Sequence, residues 1–282
     1  MNARVKHTLC TNEYISFGMS KEYTPFKAQY LHAHDRCEIF CVYSGEGYYI
    51  TEGTRHKFEP GKIILMRSGE THMPELTGTQ PYERMALHFH PSIVDSIDPE
   101  RRLLRPFFDR PLGKCNVYDR SAASPTGIYD IFSKMTMQSD DVYNNCLHVT
   151  SLLFSALIEL NKLFDEEKYL ITQPESENMQ QIIDYVNQNL TAELSVELLC
   201  SKFFTSRSHL NRHFKRITGS TVWDYILTKR LTLTRSYISS GMKASEAAEA
   251  AGFGDYSSFY RAYVRKYNES PTGTSIPQNR RH

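Results

Sequence analysis

The 282-residue chain has no unbroken apolar run approaching the ~18–20 residues that span a bilayer, so no membrane partner is expected. Its opening, MNARVKHTLC, lacks the apolar core of a secretion signal, which points to a cytoplasmic protein. Cysteine is sparse and unpatterned. Cys10, Cys37, Cys41, Cys115, Cys146 and Cys200 form no C-x-x-C pair, so zinc and disulfide-exchange motifs of that type are excluded. Such thiols are expected to be reduced and to serve as small buried apolar groups. No glycine-rich nucleotide-binding motif and no nucleophile motif is present, which argues against an enzyme. An excess of one charge is also missing, with 33 basic residues against 32 acidic ones.

What is present is an ordinary globular composition, 40% hydrophobic and 23% charged, in a chain long enough for two domains. The near-zero net charge hides an asymmetry. Residues 177–282 carry 14 Lys and Arg against 9 Asp and Glu, whereas residues 1–176 are net acidic. A basic C-terminal third suits a polyanionic partner.

From Gln29 to about His90 the chain reads as short strands between turns. Glu38–Ser44 is strand-like and ends at Gly45-Glu46-Gly47; Tyr48–Thr51 is followed by Glu52-Gly53; Lys62–Met66 lies between Pro60-Gly61 and Ser68-Gly69. Such spacing predicts an all-β barrel or sandwich over 1–92. After Pro91 the pattern becomes helical, with 93–168 read as a helical and dimerisation region. Over Cys146–Phe164 the apolar residues Leu147, Leu153, Leu157, Leu160 and Phe164 recur near helical spacing. This helix could bury itself in the core or against a second copy, and both alternatives stand. The polar stretch Asp165–Asn178, with Pro174, contains the expected linker at 169–177, and 178–282 reads as short helices.

That last region holds an internal repeat. Ser206–Arg216 (SRSHLNRHFKR) resembles Asp255–Arg265 (DYSSFYRAYVR), displaced by 49 positions. Ser206 and Asp255 are helix-capping types, Leu210/Phe214 and Phe259/Tyr263 make one apolar face, and serine and arginine occupy the other. A short helical segment precedes each copy, Ser195–Lys202 and Ala244–Ala251, and Thr221–Ser239 reads as one long helix between them. A helix, a tight turn and a second helix with an outward basic face describe a helix-turn-helix, here twice, at about 195–216 and 244–267.

Residues 179–271 resemble the DNA-binding domain of the AraC/XylS family of transcription regulators. The resemblance rests on Ala247–Phe253 (AAEAAGF), Asp255–Arg261, Arg265-Lys266, Ser270-Pro271 and Ser206–Gly219. Tyr267-Asn268-Glu269 and the tail after Pro271 depart from its usual pattern. It implies double-stranded DNA as partner, with RNA polymerase as a further partner of an activator. The exposed positions in the N-terminal halves of the two second helices are Arg207, Ser208, Asn211 and Arg212, and Tyr256, Ser257, Tyr260 and Arg261. The resemblance makes Ser208, Asn211, Arg212, Ser257, Tyr260 and Arg261 the base-edge candidates. Lys215, Arg216, Arg265 and Lys266 are expected to hold phosphates.

Near the N-terminus, His32-Ala-His34-Asp-Arg-Cys-Glu38 followed by Gly45 resembles the first cupin motif, and Gly61 to His72 the second. His32, His34 and Glu38 share parity along an extended segment and so share a face. In metal-bearing cupins the equivalents of His32, His34, Glu38 and His72 hold a divalent metal, so this set is the candidate metal site. The second motif departs at Arg67 and Leu76. With Arg84 and His88 from a neighbouring strand, the same residues are the candidate contacts for a small polar effector, of which a sugar is one. No cofactor is required in that case.

The expected architecture is therefore α+β and multidomain. An N-terminal β-barrel (cupin, double-stranded β-helix) is followed by helices and then by an all-α domain with two helix-turn-helix units. The expected function is effector-controlled, sequence-specific DNA binding. A metal-dependent cupin enzyme with an accessory helical domain is one alternative, and a DNA-binding protein whose barrel only dimerises is the other.

Overall fold

The computed structural model describes residues 4–23, 30–137 and 139–272. They fall into two units, Met1–Glu175 and Ser176–His282. The expected departure in the tail beyond Thr272 lies outside the described residues.

Strands of the first unit are β1 (Arg4–Thr11), β2 (Ile15–Glu22), β3 (Cys37–Ser44), β4 (Gly47–Thr51), β5 (Thr54–Phe58), β6 (Ile63–Met66), β7 (His72–Leu76), β8 (Tyr82–Phe89) and β9 (Val117–Tyr118). They form a six-stranded antiparallel sheet in the order β1-β2-β8-β3-β6-β9 and a three-stranded one in the order β5-β4-β7. Between the sheets Phe40, Val42, Ile64, Met66 and Ala86 meet Tyr49 and Phe58. The opposite face of the larger sheet presents Ile15, Phe17, Ile39, Cys41, Ile63, Leu65, Met85 and Leu87 to the following helices. This explains why β3 and β6 read as continuous apolar runs: both their faces are covered. The β4–β5 hairpin turns on Glu52 (φ 49) and Gly53 (φ 79), two left-handed residues whose twist suits a two-residue hairpin loop. Glu52 accepts that conformation while its carboxylate takes hydrogen bonds from the Thr71 N–H and hydroxyl, at 2.6 and 3.1 Å.

Helices α1 (Arg105–Phe108), α2 (Arg120–Ala123), α3 (Ile128–Met135) and α4 (Val142–Asp165) complete this unit. Asp141 caps α4 by accepting the Tyr143 N–H at 2.9 Å. The two readings of this helix apply to its two faces. Val149, Leu153, Leu157 and Leu160 are buried against the sheet, whereas Tyr143, Leu147 and Ile158 are 70%, 52% and 47% exposed. By length and mean hydropathy alone α4 would pass for a membrane span, but its inner face is occupied by the sheet. The expected linker is laid against the barrel. The Leu170 N–H donates to Val117 O at 2.7 Å, the Thr172 hydroxyl lies 3.0 Å from His56 Nδ1, and Arg55 pairs with Glu175 at 3.7 Å.

The second unit contains α5 (Glu177–Gln188), α6 (Val196–Lys202), α7 (Arg207–Thr218), α8 (Val222–Ser239), α9 (Ala244–Ala250) and α10 (Tyr256–Tyr267). Helix α8 supports both helix pairs: Tyr225 packs edge-on against Phe214 of α7, and Leu231 clusters with Ala248, Phe259 and Tyr263. Arg230, 7% exposed, donates from Nε to Leu190 O and from Nη2 to Ala192 O, at 2.9 and 2.7 Å, and so ties down the α5–α6 loop.

Candidate DNA-reading face and barrel site

Helix α7 starts where it does because the Ser206 hydroxyl accepts the His209 N–H at 3.3 Å. Leu210, Phe214 and Ile217 turn inward, which leaves Arg207, Ser208, Arg212, Lys215 and Arg216 exposed and Asn211 half-buried. Arg207 is engaged with Glu197 of α6 at 2.9 Å, both side chains lying open to solvent. Sequence reasoning missed His209 and His213, whose rings stack on the flank of α7 at 4.0 Å. Their spacing of four residues was the available signal.

The second copy repeats the design. Asp255 accepts the Ser257 and Ser258 N–H groups, at 2.8 and 3.2 Å, and opens α10. Phe259 and Tyr263 are buried, and Tyr256, Ser257, Tyr260, Arg261 and Arg265 are exposed. Arg261 donates to the Ser258 hydroxyl at 3.2 Å, across one turn. Lys266 departs from the expected outward, phosphate-holding position: its Nζ is buried and forms no hydrogen bond. Burial, and then the nearby Arg235, push its pKa down to about 8. Beside α10 runs a groove of about 690 Å³ bordered by Trp223, Leu227, Phe253, Arg261 and Arg265. Trp223, half exposed at the start of α8, carried no repeat signal in the sequence.

In the barrel, β3 and β8 pair so that Glu38 lies opposite His88. The segment before β3 brings in His34, and the first residue of β7 is His72. All three imidazoles converge on one carboxylate oxygen: the Nε2 atoms of His34, His72 and His88 lie 3.2, 3.3 and 3.3 Å from Glu38 Oε2. Of the residues expected here, His34, Glu38, His72 and His88 thus come together. His32 stands one ring away, edge-on to His72 at 4.3 Å, and the two residues exchange backbone N–H···O bonds. Arg84 lies on the same strand as His88, with its guanidinium over Phe40 at 5.2 Å.

Burial alone would raise the Glu38 carboxyl, but the His88 charge and the neighbouring imidazoles outweigh it and hold the group well below the usual range. Burial lowers His34 despite Glu38. For His72 burial is overcome by the Glu38 carboxylate and the Glu70 carbonyl, and its pKa is raised. Beneath the cluster, Arg110 grips Glu70 with two bonds of 2.7 and 2.9 Å in a fully buried pair, which fixes the carbonyl that holds His72. Sequence reasoning missed this pair, since two charges 40 residues apart leave no local pattern. A small cleft of about 60 Å³ beside His88 is lined by Lys6, Thr8, Ser16, Ser20 and Arg84.

Comparison with known proteins agrees with both parts. A family model described as an AraC-like ligand binding domain matches residues 16–153, and one described as a helix-turn-helix domain matches residues 199–275. The probable transcriptional regulator LumQ of Photobacterium leiognathi is 39% identical over 111 residues. That stretch covers 39% of this chain and 43% of LumQ, so less than half of that relative is spanned. The HTH-type transcriptional activator RhaS of Citrobacter koseri is 22% identical over 244 residues, 85% of each chain. Among solved structures, ToxT of Vibrio cholerae aligns at 13% identity and a TM-score of 0.39, over 92% of this chain and 97% of that one. These curated relatives are transcription regulators, and the cupin-enzyme alternative is set aside on that ground. With a ligand-binding barrel of the AraC type followed by paired helix-turn-helix units, the chain belongs to the AraC family of DNA-binding transcription regulators.

Proposed function

We propose that the chain is a one-component regulator of the cytoplasm, in which a small polar effector bound at the His34/Glu38/His72/His88 cluster sets the affinity of α7 and α10 for DNA. The observation that supports the sensing half is the buried Glu38 carboxylate with three imidazoles gathered on it. A charged group so buried is costly unless it serves a ligand or a fold-specific network. Ser16, Ser20, Thr8 and Arg84 add hydrogen-bonding groups at the adjoining cleft; at about 60 Å³ it admits a polar group as it stands and has to widen to take a whole hydroxyl-rich molecule such as a sugar.

On the DNA side, Ser208, Asn211, Arg212, Ser257, Tyr260 and Arg261 are the proposed base-edge contacts. Lys215, Arg216 and Arg265 are the proposed phosphate contacts, with Arg207 and Tyr256 at the rim. The outward apolar residues of α4, Tyr143, Leu147 and Ile158, support a homodimer formed through that helix. Where the regulator activates, RNA polymerase is a further partner. An effector acts only through its different affinities for two states of the protein.

The test is a panel of sugars and other polar metabolites, read by duplex affinity and by thermal shift. An active compound is expected to change both in the wild-type chain and neither in His34→Ala. If no compound changes either quantity, the barrel is a scaffold for dimerisation and the sensing reading fails.

A further inference from the structure

Strand register places Lys6 of β1, Ser20 of β2 and Arg84 of β8 in one cross-strand row, since Lys6 pairs with Ser20 and Ser20 with Arg84. Neighbouring strands lie ~4.8 Å apart, so the row is about 10 Å long. The next row on the same face is Thr8, Gly18 and Ala86, whose small bulk leaves room for the cleft of about 60 Å³. Beyond it the Ser16–His88 pair joins the cleft to Glu38, which lies opposite His88.

Arg84 is the uncompensated charge of this face. Its guanidinium lies over the Phe40 ring at 5.2 Å and, among the described residues, makes no hydrogen bond or ion pair. Burial acts to lower its pKa, but Tyr82, Glu38, Tyr49 and Glu22 outweigh that effect, and the group stays charged. Neither acid is available to it. Glu38 is held by three imidazoles, and Glu22, 3% exposed, has a partner of its own. The Ser20 hydroxyl in the same row is 5% exposed and also lacks a hydrogen-bond partner among the described residues. An enclosed guanidinium with its N–H donors unmatched is costly. A planar, two-oxygen anion matches that fork with two parallel bonds.

We infer that the effector is a hydroxycarboxylate, its carboxylate seated on Arg84 and Ser20 in the cleft and its hydroxyls turned toward His88 and the Glu38 cluster. The cleft holds on the order of two water-sized groups, which is the bulk of a carboxylate and not of a whole sugar ring. Lys6, exposed at the rim, adds attraction for an anion. A phosphate ester carries about −1.5 to −2 at neutral pH, more than one enclosed guanidinium beside Glu38 offsets. A neutral sugar leaves the Arg84 charge unmatched. The inference deepens the sensing reading and rests on it for the link to DNA; what it adds is the charge of the effector and the residue that selects for it.

The experiment titrates the full chain by calorimetry with three matched pairs: glycolate and ethylene glycol, gluconate and sorbitol, galacturonate and galactose. At least one acid is expected to bind in the millimolar range or tighter, and at least about tenfold more tightly than its neutral partner. Arg84→Gln is expected to abolish that preference, whereas Arg84→Lys, which keeps the charge without the fork, retains part of it. His34→Ala is expected to weaken both members of the pair. Circular dichroism establishes that each variant is folded. The inference is overturned if no acid binds below about 10 mM, if the neutral partners bind as tightly as the acids, or if folded Arg84→Gln keeps the preference. Duplex affinity with and without the bound compound separates the two readings. A neutral polyol that binds and changes duplex affinity, with no acid preferred, sustains sensing and overturns the carboxylate. An acid that binds through Arg84 and leaves duplex affinity unchanged does the reverse.

Discussion

Single residues decide much in this molecule because several charges are buried with only the partners they need. Arg110 and Glu70 are 4% and 0% exposed and satisfy each other. Arg110→Ala leaves the carboxylate buried with only backbone N–H donors, from Arg67 and Gly113. The expected loss is on the order of 3–5 kcal/mol, seen as a lower unfolding midpoint of the first unit in denaturant. Lys266 is the opposite case, a buried ammonium with a cation, Arg235, among its neighbours and Tyr267 at 5.7 Å. Its folded pKa of about 8 lies below the ordinary 10.5, so the unfolded chain binds the extra proton between those values. Stability of the second unit therefore rises as pH climbs from about 8 toward 10.5. Lys266→Met is expected to stabilise that unit by on the order of 1–3 kcal/mol at pH 7 and to lose the advantage near pH 10.5. A variant no more stable than wild type at pH 7 contradicts the buried placement.

At the scale of elements, legibility followed locality. The caps Ser206 and Asp255 were readable because capping is chemistry between neighbours in sequence. The strand at Glu38–Ser44 and the turn at Glu52-Gly53 were readable for the same reason. Strands β1 and β2 were not, because the first is an edge strand of mixed polarity and the second is interrupted by Gly18 and Ser20. The two-residue strand β9 exists only through pairing with β6, which no local pattern announces. His88 was anticipated as a neighbour of the cluster, but its exchange of place with His32 depends on the β3–β8 register. The strap at 169–175 was hidden by its own polarity, which reads as a free linker. His56 is central to it: neutral, it donates from Nε2 to Gly113 O at 3.0 Å and accepts the Thr172 hydroxyl at Nδ1. Burial brings its pKa down to about 4, against opposing effects of the Gly113 carbonyl and Glu70, while Arg110 adds to the shift. The stability this neutral ring contributes is whole above about pH 6.5 and is lost as pH falls toward about 4. Proteolysis of the 169–175 segment is expected to accelerate over that range in the wild type. In His56→Leu, cleavage should be faster at pH 7 and largely independent of pH. Equal rates for the two proteins at pH 7 contradict the strap.

At the scale of the whole molecule, chemistry divides by region as its charge does. The net acidic part of the chain builds a barrel around one carboxylate and three imidazoles, and the basic part builds two matched helices on a shared support. Repetition made the second part legible in outline, because the same cap and the same inward pair recur after 49 residues. The identity of the barrel ligand was not legible, since hydrogen-bonding groups for a sugar and ligands for a metal are the same residue types. The most direct measurement is selection of binding sites from a random duplex pool by the full chain, repeated with Arg212→Ala and Arg261→Ala. Two short preferred segments about one helical turn apart are expected. Each variant should relax preference by about 1–3 kcal/mol in a different segment. If no sequence is enriched, or if both variants relax the same positions, α7 and α10 are not two separate readers of DNA.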